Sequence, residues 1–332
     1  MMAVVLYGDV SEKAGIDEQD VLVQVETVCR SLTELGHEPI TVPVSIDFKK
    51  TVDCLTARRP DFVFNLVESV AGHGRLIHIA PSLMDMLDIP YTGAKTDAMF
   101  LTSNKVLAKK FLDANSIPTP PLFLVDEENN LFAEGSYIVK AVWEHASSWL
   151  DEYSIIHTGS VNCLRQATLA QQEKLGIPCF AETFIEGREF NLSLLTGDAG
   201  PEVLPPAEIQ FCNYPPDKAR VVDYRAKWIE DSFEYNHTPR CFDFSKKDET
   251  LIQHLSDLAI RCWHLFNLRG YARIDFRVDK NGDAWILEVN TNPCLSPDGG
   301  FAAAIEQAGL TFNRAIDRIV QEAVKARSIC MS

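Results

Sequence analysis

Arg273, Asp275, Glu288 and Asn290 are spaced so that one short hairpin could bring them together. Asn281-Gly282 lies between two runs of alternating character, 273–278 and 284–290, and that is the strongest short-range hairpin signal. With Asn281 and Gly282 as the loop residues, Lys280 faces Asp283. Counting back predicts Asp275 opposite Glu288, Arg273 opposite Asn290 and Phe276 opposite Leu287. Strand side chains alternate, so Ile274, Phe276, Val278, Trp285, Leu287 and Val289 should share an apolar face, and the four polar groups the other. Opposed carboxylates about 5 Å apart repel, so a cation is expected between them. Two carboxylates and an amide are hard oxygen donors that suit Mg²⁺, or Mn²⁺, with waters and substrate phosphates completing the shell. A solvated edge strand carrying one Arg–Asp pair would show the same alternation.

The elements that position this hairpin can be traced from periodicity. Ser245 with Asp248 three residues on resembles a capping box, and Leu251, Leu255, Leu258, Cys262 and Phe266 share one helical face that ends near Gly270. At the other end of the chain, 3–8 reads as a buried strand. Val21, Val25, Val28, Leu32 and Leu35 then recur at helical spacing before Gly36, a C-cap residue. Strands at 40–44 and 61–67 with a helix at 48–57 complete a small parallel sheet over 1–96, whose ligand face lies at the strand carboxyl ends, 8–18 and the Gly-rich 68–74. A helix is predicted over 97–115, with Phe100, Val106, Leu107 and Phe111 apolar and Lys105, Lys109 and Lys110 polar; Pro118, Pro120 and Pro121 stop it. Strands at 121–125, 136–142 and 179–185 with a helix at 165–175 make an antiparallel α+β unit over 97–185. Lys140 sits within its second strand and needs a partner unless it snorkels from an edge. The last unit, 186–332, holds a strand at 190–195, the hairpin and a closing helix at 313–327.

Length and charge narrow the classes. At 332 residues more than one packed unit is expected. Lys+Arg 31 against Asp+Glu 47 leaves −16, which disfavours nonspecific binding to nucleic acid or to an anionic membrane. The nine cysteines form no Cys-x-x-Cys pair and read as buried free thiols of a reducing cytoplasm. The apolar run 1–7 lacks a basic flank, and no apolar span reaches 18 residues, so no export or membrane segment is expected.

Taken together, RIDFRVDKNGDAWILEVNTNP, the lysines and FAETFIEGREF resemble the ATP-grasp superfamily, and within it the D-alanine–D-alanine ligase family, over almost the whole chain. The resemblance implies an ATP-grasp fold: a parallel α/β sheet domain followed by two α+β subdomains that sandwich ATP. It implies an ATP-dependent carboxylate–amine ligase working through an acyl phosphate. Asp275, Glu288 and Asn290 would hold Mg²⁺, and Asn290 would also face the nucleotide. Arg273 would stabilise the transferred phosphoryl group and the tetrahedral intermediate. Lys105, Lys140 and Lys227 would bind phosphates, Glu182 the adenine amino group, Thr183, Phe184 and Ile185 the base, and Glu189 the ribose. Backbone N–H groups at 292–295 are candidates for the oxyanion, and a homodimer through the N-terminal unit is implied.

The departures concern the other substrates. The covering loop, 144–149, keeps its acid and serines, with Ser147 in the catalytic set, but lacks the family's two glycines. Glu68 stands where the family has a histidine, Trp228 where it has a tyrosine, and Gly299 where a serine grips the second D-alanine carboxylate. Glu18 is the match for the acid that binds the first ammonium. These differences point to amino acids or close relatives as substrates rather than D-alanine at both sites. D-alanine–D-alanine ligase itself and a non-catalytic nucleotide-binding protein are the alternatives. Thiol chemistry at Cys294 lacks a nearby His in sequence.

Overall fold

The computed structural model describes residues 1–11, 14–127, 131–143, 150 and 154–330. β1 (Met2–Gly8) is the central strand of a parallel sheet, flanked by β2 (Glu38–Val44) and β3 (Phe62–Leu66). Buried on both faces, β1 reads as an unbroken apolar run, as central parallel strands do. Ala3 and Val5 pack with Val21, Val25, Val28 and Leu32 of α1 (Ile16–Glu34). Val4 and Leu6 pack on the opposite side with Leu55 of α2 (Phe48–Arg58) and Ala80 and Met84 of α3 (Ile79–Leu87). Gly36 follows α1 at φ +80°, the left-handed position that a helix end favours.

The helix expected over 97–115 is two helices, α4 (Thr96–Ser103) and α5 (Lys105–Ala114). Asn104 divides them because its side chain accepts from the Leu107 N–H and restarts the chain as an N-cap. The expected polar face is also corrected. Lys109 is buried at 2% exposure, whereas Phe100 and Leu107 are 39% and 38% exposed. A buried carboxylate, described below, receives that lysine and makes its burial tolerable.

The second sheet is antiparallel: β4 (Leu122–Phe123), β5 (Gly135–Ala141), β6 (Ile155–Thr158) and β7 (Cys179–Thr183), in the order β4-β7-β5-β6. α6 (Val161–Leu175) packs through Leu164 against Tyr137, Val139 and Ala181. Ile138, Lys140 and Glu182 alternate with these and so face the other way.

The third sheet contains β8 (Arg188–Gly197), β9 (Gly200–Val203), β10 (Ala207–Ile209), β11 (Arg240–Cys241), β12 (Tyr271–Val278) and β13 (Ala284–Asn290). Its order is β11-β10-β8-β12-β13, with β9 on β8. Phe190, Leu192, Ile274, Phe276, Ile286 and Val289 form its inner face. Against them lie Leu255, Leu258 and Cys262 of α9 (Glu249–Leu265) and Ala98, Ala108 and Leu112 from α4 and α5. α7 (Tyr224–Trp228) and α8 (Phe233–Asn236) lie before β11. After β13 come α10 (Gly300–Gln307) and α11 (Phe312–Cys330), whose Phe301, Ile316 and Ile319 join the α1 core. Among the described residues no helix is long and apolar enough to cross a membrane.

The hairpin register differs in detail from the prediction. Asp279 pairs with Asp283 and closes a loop over Lys280, Asn281 and Gly282, so Lys280 does not face Asp283. The Asp279 carboxylate accepts from the Asn281 and Asp283 N–H groups, an Asx-type organisation that favours the longer loop. Leu287 is then an extra residue: Phe276 pairs with Ile286, and Asp275 with Glu288. The bulge turns Trp285 and Leu287 off the core face and puts Ala284 and Ile286 on it. Loop and bulge each displace the register by one residue and offset each other. Asp275 opposite Glu288 and Arg273 opposite Asn290 therefore stand as expected.

Candidate active site

A cavity of about 490 Å³ lies between the second and third sheets and continues to the carboxyl end of the first. Its strand-built wall follows from alternation. Glu189 and Asn191 of β8, Arg273, Asp275 and Arg277 of β12, and Glu288 and Asn290 of β13 all line it. β12 is bracketed by the other two, with Asp275 paired to Asn191 on one side and Glu288 on the other. Asn191 Nδ2 donates to Asp275 Oδ1 at 2.8 Å, and Arg273 holds both Asp275 oxygens at 2.7 and 2.8 Å. Lys105 Nζ stands 3.4 Å from Glu288 Oε1. The carboxylates are thus balanced by cations from different elements.

From β5 and β7 the cavity receives Lys140 and Glu182. Lys140 donates to Glu182 Oε1 at 2.7 Å, the partner that a lysine inside this strand requires. Lys109 Nζ lies 2.7 Å from Glu182 Oε2 in a buried ion pair. Burial alone would push the Glu182 carboxyl up; Lys109 and Lys140 outweigh it and hold the group below the usual carboxylate range. Burial pulls Lys109 down to about 8 against that attraction.

Thr183, Phe184 and Ile185 follow β7 along the cavity. Gly187 makes this connection possible: at φ +154° a Cβ there would meet the Val278 carbonyl oxygen at 1.9 Å. Lys227 enters from α7, whose N-terminus Asp223 caps by accepting from the Ala226 N–H at 2.9 Å. Burial lowers the Lys227 ammonium, and the Arg273 charge adds to that.

At the other end of the cavity, Gln24 Nε2 donates to Glu68 Oε1 at 2.8 Å and to Asp20 Oδ2 at 3.2 Å. Burial raises Glu68 to about 7, helped by the Asp20 charge and opposed by the Gln24 hydrogen bond. Asp20 also accepts from Cys294 Sγ at 3.1 Å and Ser296 Oγ at 2.7 Å. Burial pushes the Cys294 thiol far up, which keeps it protonated. Arg240 reaches the cavity from β11, donating to the Asp298 carbonyl at 2.9 Å beside Gly299 and Gly300.

Among the expected site residues, Lys105, Lys140, Glu182, Thr183, Phe184, Ile185, Glu189, Lys227, Arg273, Asp275, Glu288 and Asn290 all line this cavity. Glu18 is exposed on α1 and not part of its wall; Asp20 and Glu68 are the acids there. Ser147 and the loop 144–149 lie outside the described residues. Two of the expected oxyanion donors are committed: the Asn292 N–H to Asn290 Oδ1 at 3.0 Å, and the Leu295 N–H to Gln24 Oε1 at 2.9 Å. Arg277, Asp20, Asn191 and Arg240 line the cavity as well, and Gln24 braces its acids, although none is among the expected residues. Arg277 was visible as the next step of the 273, 275 alternation, whereas Arg240 carries no such pattern.

Comparison with known proteins places these features in a family. Residues 156–321 match the model for the D-ala D-ala ligase C-terminus. A D-alanine–D-alanine ligase of Aquifex aeolicus is 30% identical, over 96% of this chain and all of its own. An uncharacterized Sinorhizobium fredii protein is 27% identical, over 90% of this chain and 86% of its own. The D-alanine–D-alanine ligase of Bacillus anthracis solved with ATP superposes with a TM-score of 0.73 at 20% identity, covering 99% of each chain.

Proposed function

Because the chain belongs to the D-alanine–D-alanine ligase family, we propose that its cavity joins an amino-acid carboxylate to an amine through an acyl phosphate, with the residue roles given below. The chain is an ATP-dependent C–N ligase that forms an amide bond. The observation that carries the mechanistic reading is one face of β12 and β13, where Asp275, Glu288, Asn290 and Arg273 meet the lysines at 105 and 227.

A carboxylate is a poor electrophile, so ligation needs activation first. The carboxylate oxygen attacks the γ-phosphorus of ATP and ADP leaves. The neutral amine nitrogen then attacks the acyl-phosphate carbon, the C–O bond to phosphate breaks, and phosphate departs with the proton that the nitrogen sheds. Such transfer depends on positioning and charge neutralisation. Lys105, Lys140 and Lys227 would bind phosphates, and Arg273 the developing charge. Glu182, which lines the cavity from β7, is the acceptor that would take the adenine amino group. Thr183, Phe184 and Ile185 would flank the base. Asp275, Glu288 and Asn290 form an all-oxygen donor set, too small to complete a shell alone, which fits Mg²⁺ finished by phosphate and water. Mg²⁺ bound there would supply neutralisation of the phosphate charge. Asp20 and Glu68 suit the ammonium of the carboxylate substrate, and Arg240 an anionic group on the amine substrate. The chain is taken to work in the cytoplasm, as a homodimer through its first unit.

Phosphate release across a panel of carboxylate–amine pairs, with products identified by mass, tests this reading. ATP with D-alanine alone is the decisive arm for the second reading, D-alanine–D-alanine ligase proper, which the Aquifex relative favours. Rapid dipeptide formation there establishes it; turnover only with other pairs excludes it.

A further inference from the structure

Glu189 is bonded unevenly across its two oxygens. Both Arg277 Nε and Nη2 donate to the same oxygen, Glu189 Oε2, at 2.9 and 2.6 Å. Among the described residues nothing donates to Oε1, and Glu189 lines the cavity beside the base-flanking segment. A carboxylate has acceptor capacity on both oxygens, so this one has half its capacity fixed by the protein and half open to a ligand. The pair is buried, with side-chain exposures of 3% and 10%.

Arg277 fixes more than the acid. Its Nη1 donates to the Ile185 carbonyl at 3.2 Å, and its Nη2 also reaches the Arg220 carbonyl. The guanidinium lies 5.4 Å from the Phe184 ring centre and 5.5 Å from that of Phe211. One planar cation thus ties β12, β8, the base-flanking segment and the 220 loop together. A lysine could carry the charge but not this fork.

We infer that Arg277 is the positioning residue of the nucleotide sugar site: it clamps one oxygen of Glu189 so that the other is held toward the ribose hydroxyls, and locks the base-flanking carbonyl in the same step. This rests on the proposed ATP site, with Glu189 facing the ribose. Without Arg277 the carboxylate would be an unpaired buried charge, free to turn or take a proton. Selectivity for ribose over deoxyribose would then fall, which a general loss of packing would not produce.

Calorimetric titration of the full chain with ADP, 2′-deoxyADP and 3′-deoxyADP tests this without knowing the amine. Wild type should bind at least one deoxy nucleotide on the order of tenfold more weakly than ADP, the value of a hydrogen bond to a charged acceptor. In Arg277→Met that ratio should shrink to about twofold, with ADP itself bound on the order of tenfold more weakly. Glu189→Gln should shrink the ratio too, and adding Arg277→Met to it should change the ratio no further. Arg277→Lys, which keeps the charge, serves if the Met variant does not fold and should also lose selectivity. A folded variant at position 277 with the wild-type ratio overturns the inference. Wild type that binds ADP but ignores the missing hydroxyls overturns the Glu189 assignment and this inference, leaving the ligase reading intact. Wild type that binds no ADP overturns both.

Discussion

The end of the cavity proposed for the nucleotide is walled mainly by strands of the second and third sheets, with Lys105 and Lys227 added from helices, whereas the end proposed for the other substrates is built from a loop, a face of α1, the tips of the first sheet and the short edge strand β11. On the strand side Lys140, Glu182, Glu189, Arg273, Asp275 and Arg277 sit in strands and are already paired: Lys140 with Glu182, which Lys109 of α5 also meets, Arg277 with Glu189, and Arg273 with Asp275. On the other side Asp20 and Glu68 share one Gln24 amide, and a backbone carbonyl is the acceptor for Arg240. Strand positions inherit their spacing from the sheet and hold a site rigidly. Loop positions depend on distant contacts and can change without disturbing the ladder. On the proposed reading the two ends separate nucleotide chemistry from substrate choice.

The strongest test of that separation is Asp275→Asn. It keeps size but removes a charge from the proposed metal face and one of the two oxygens that Arg273 holds, so phosphate release should fall about 10³-fold in a variant that circular dichroism shows still folded at the assay temperature. Wild-type rates would end the assignment of Asp275. Next, Lys109→Met should cost about 3 kcal/mol in a urea titration, because it strips a buried carboxylate of a compensating charge. A cost below about 1 kcal/mol would show that Lys140 alone suffices for Glu182.

At the substrate end the effects should be smaller and selective. Arg240→Gln should raise KM for a carboxylate-bearing amine about tenfold and leave KM for ATP alone. Equal changes in both would show that the two ends are not separable. The smallest effect concerns Glu68, whose folded-state carboxyl is raised to about 7. A carboxyl raised on folding stabilises the protein while protonated, fully below its unfolded value and progressively less as pH rises through about 7. Between about pH 4.5 and 7.5 wild type should therefore lose stability relative to Glu68→Gln, on the order of 1 kcal/mol after screening. Parallel stability curves for the two proteins would remove Glu68 as the titrating group.

How far the site was legible in the sequence depends on which contacts fix each residue. Arg273, Asp275, Glu288 and Asn290 were found from a period of two and a turn signal, because neighbours along a hairpin constrain each other locally. Even there the loop and the Leu287 bulge were invisible, and the pairing held because their displacements cancel. Lys109 was misplaced because helical periodicity ranks a lysine by its polarity, while its position is set by Glu182, 73 residues away in the chain. Asp20, Glu68 and Arg240 meet only when three separate elements pack.

The sequence by itself determined the polar face of the hairpin and its carboxylate pair, because strand alternation and turn chemistry are local rules, and its likeness to a family pointed to the lysines at 105, 140 and 227. Only the tertiary structure decided which oxygen of Glu189 stays open, that Glu18 stands off the cavity while Asp20 lines it, and which backbone donors are already spent. Those outcomes turn on competition among buried charges for partners from distant segments, and no local pattern records who wins.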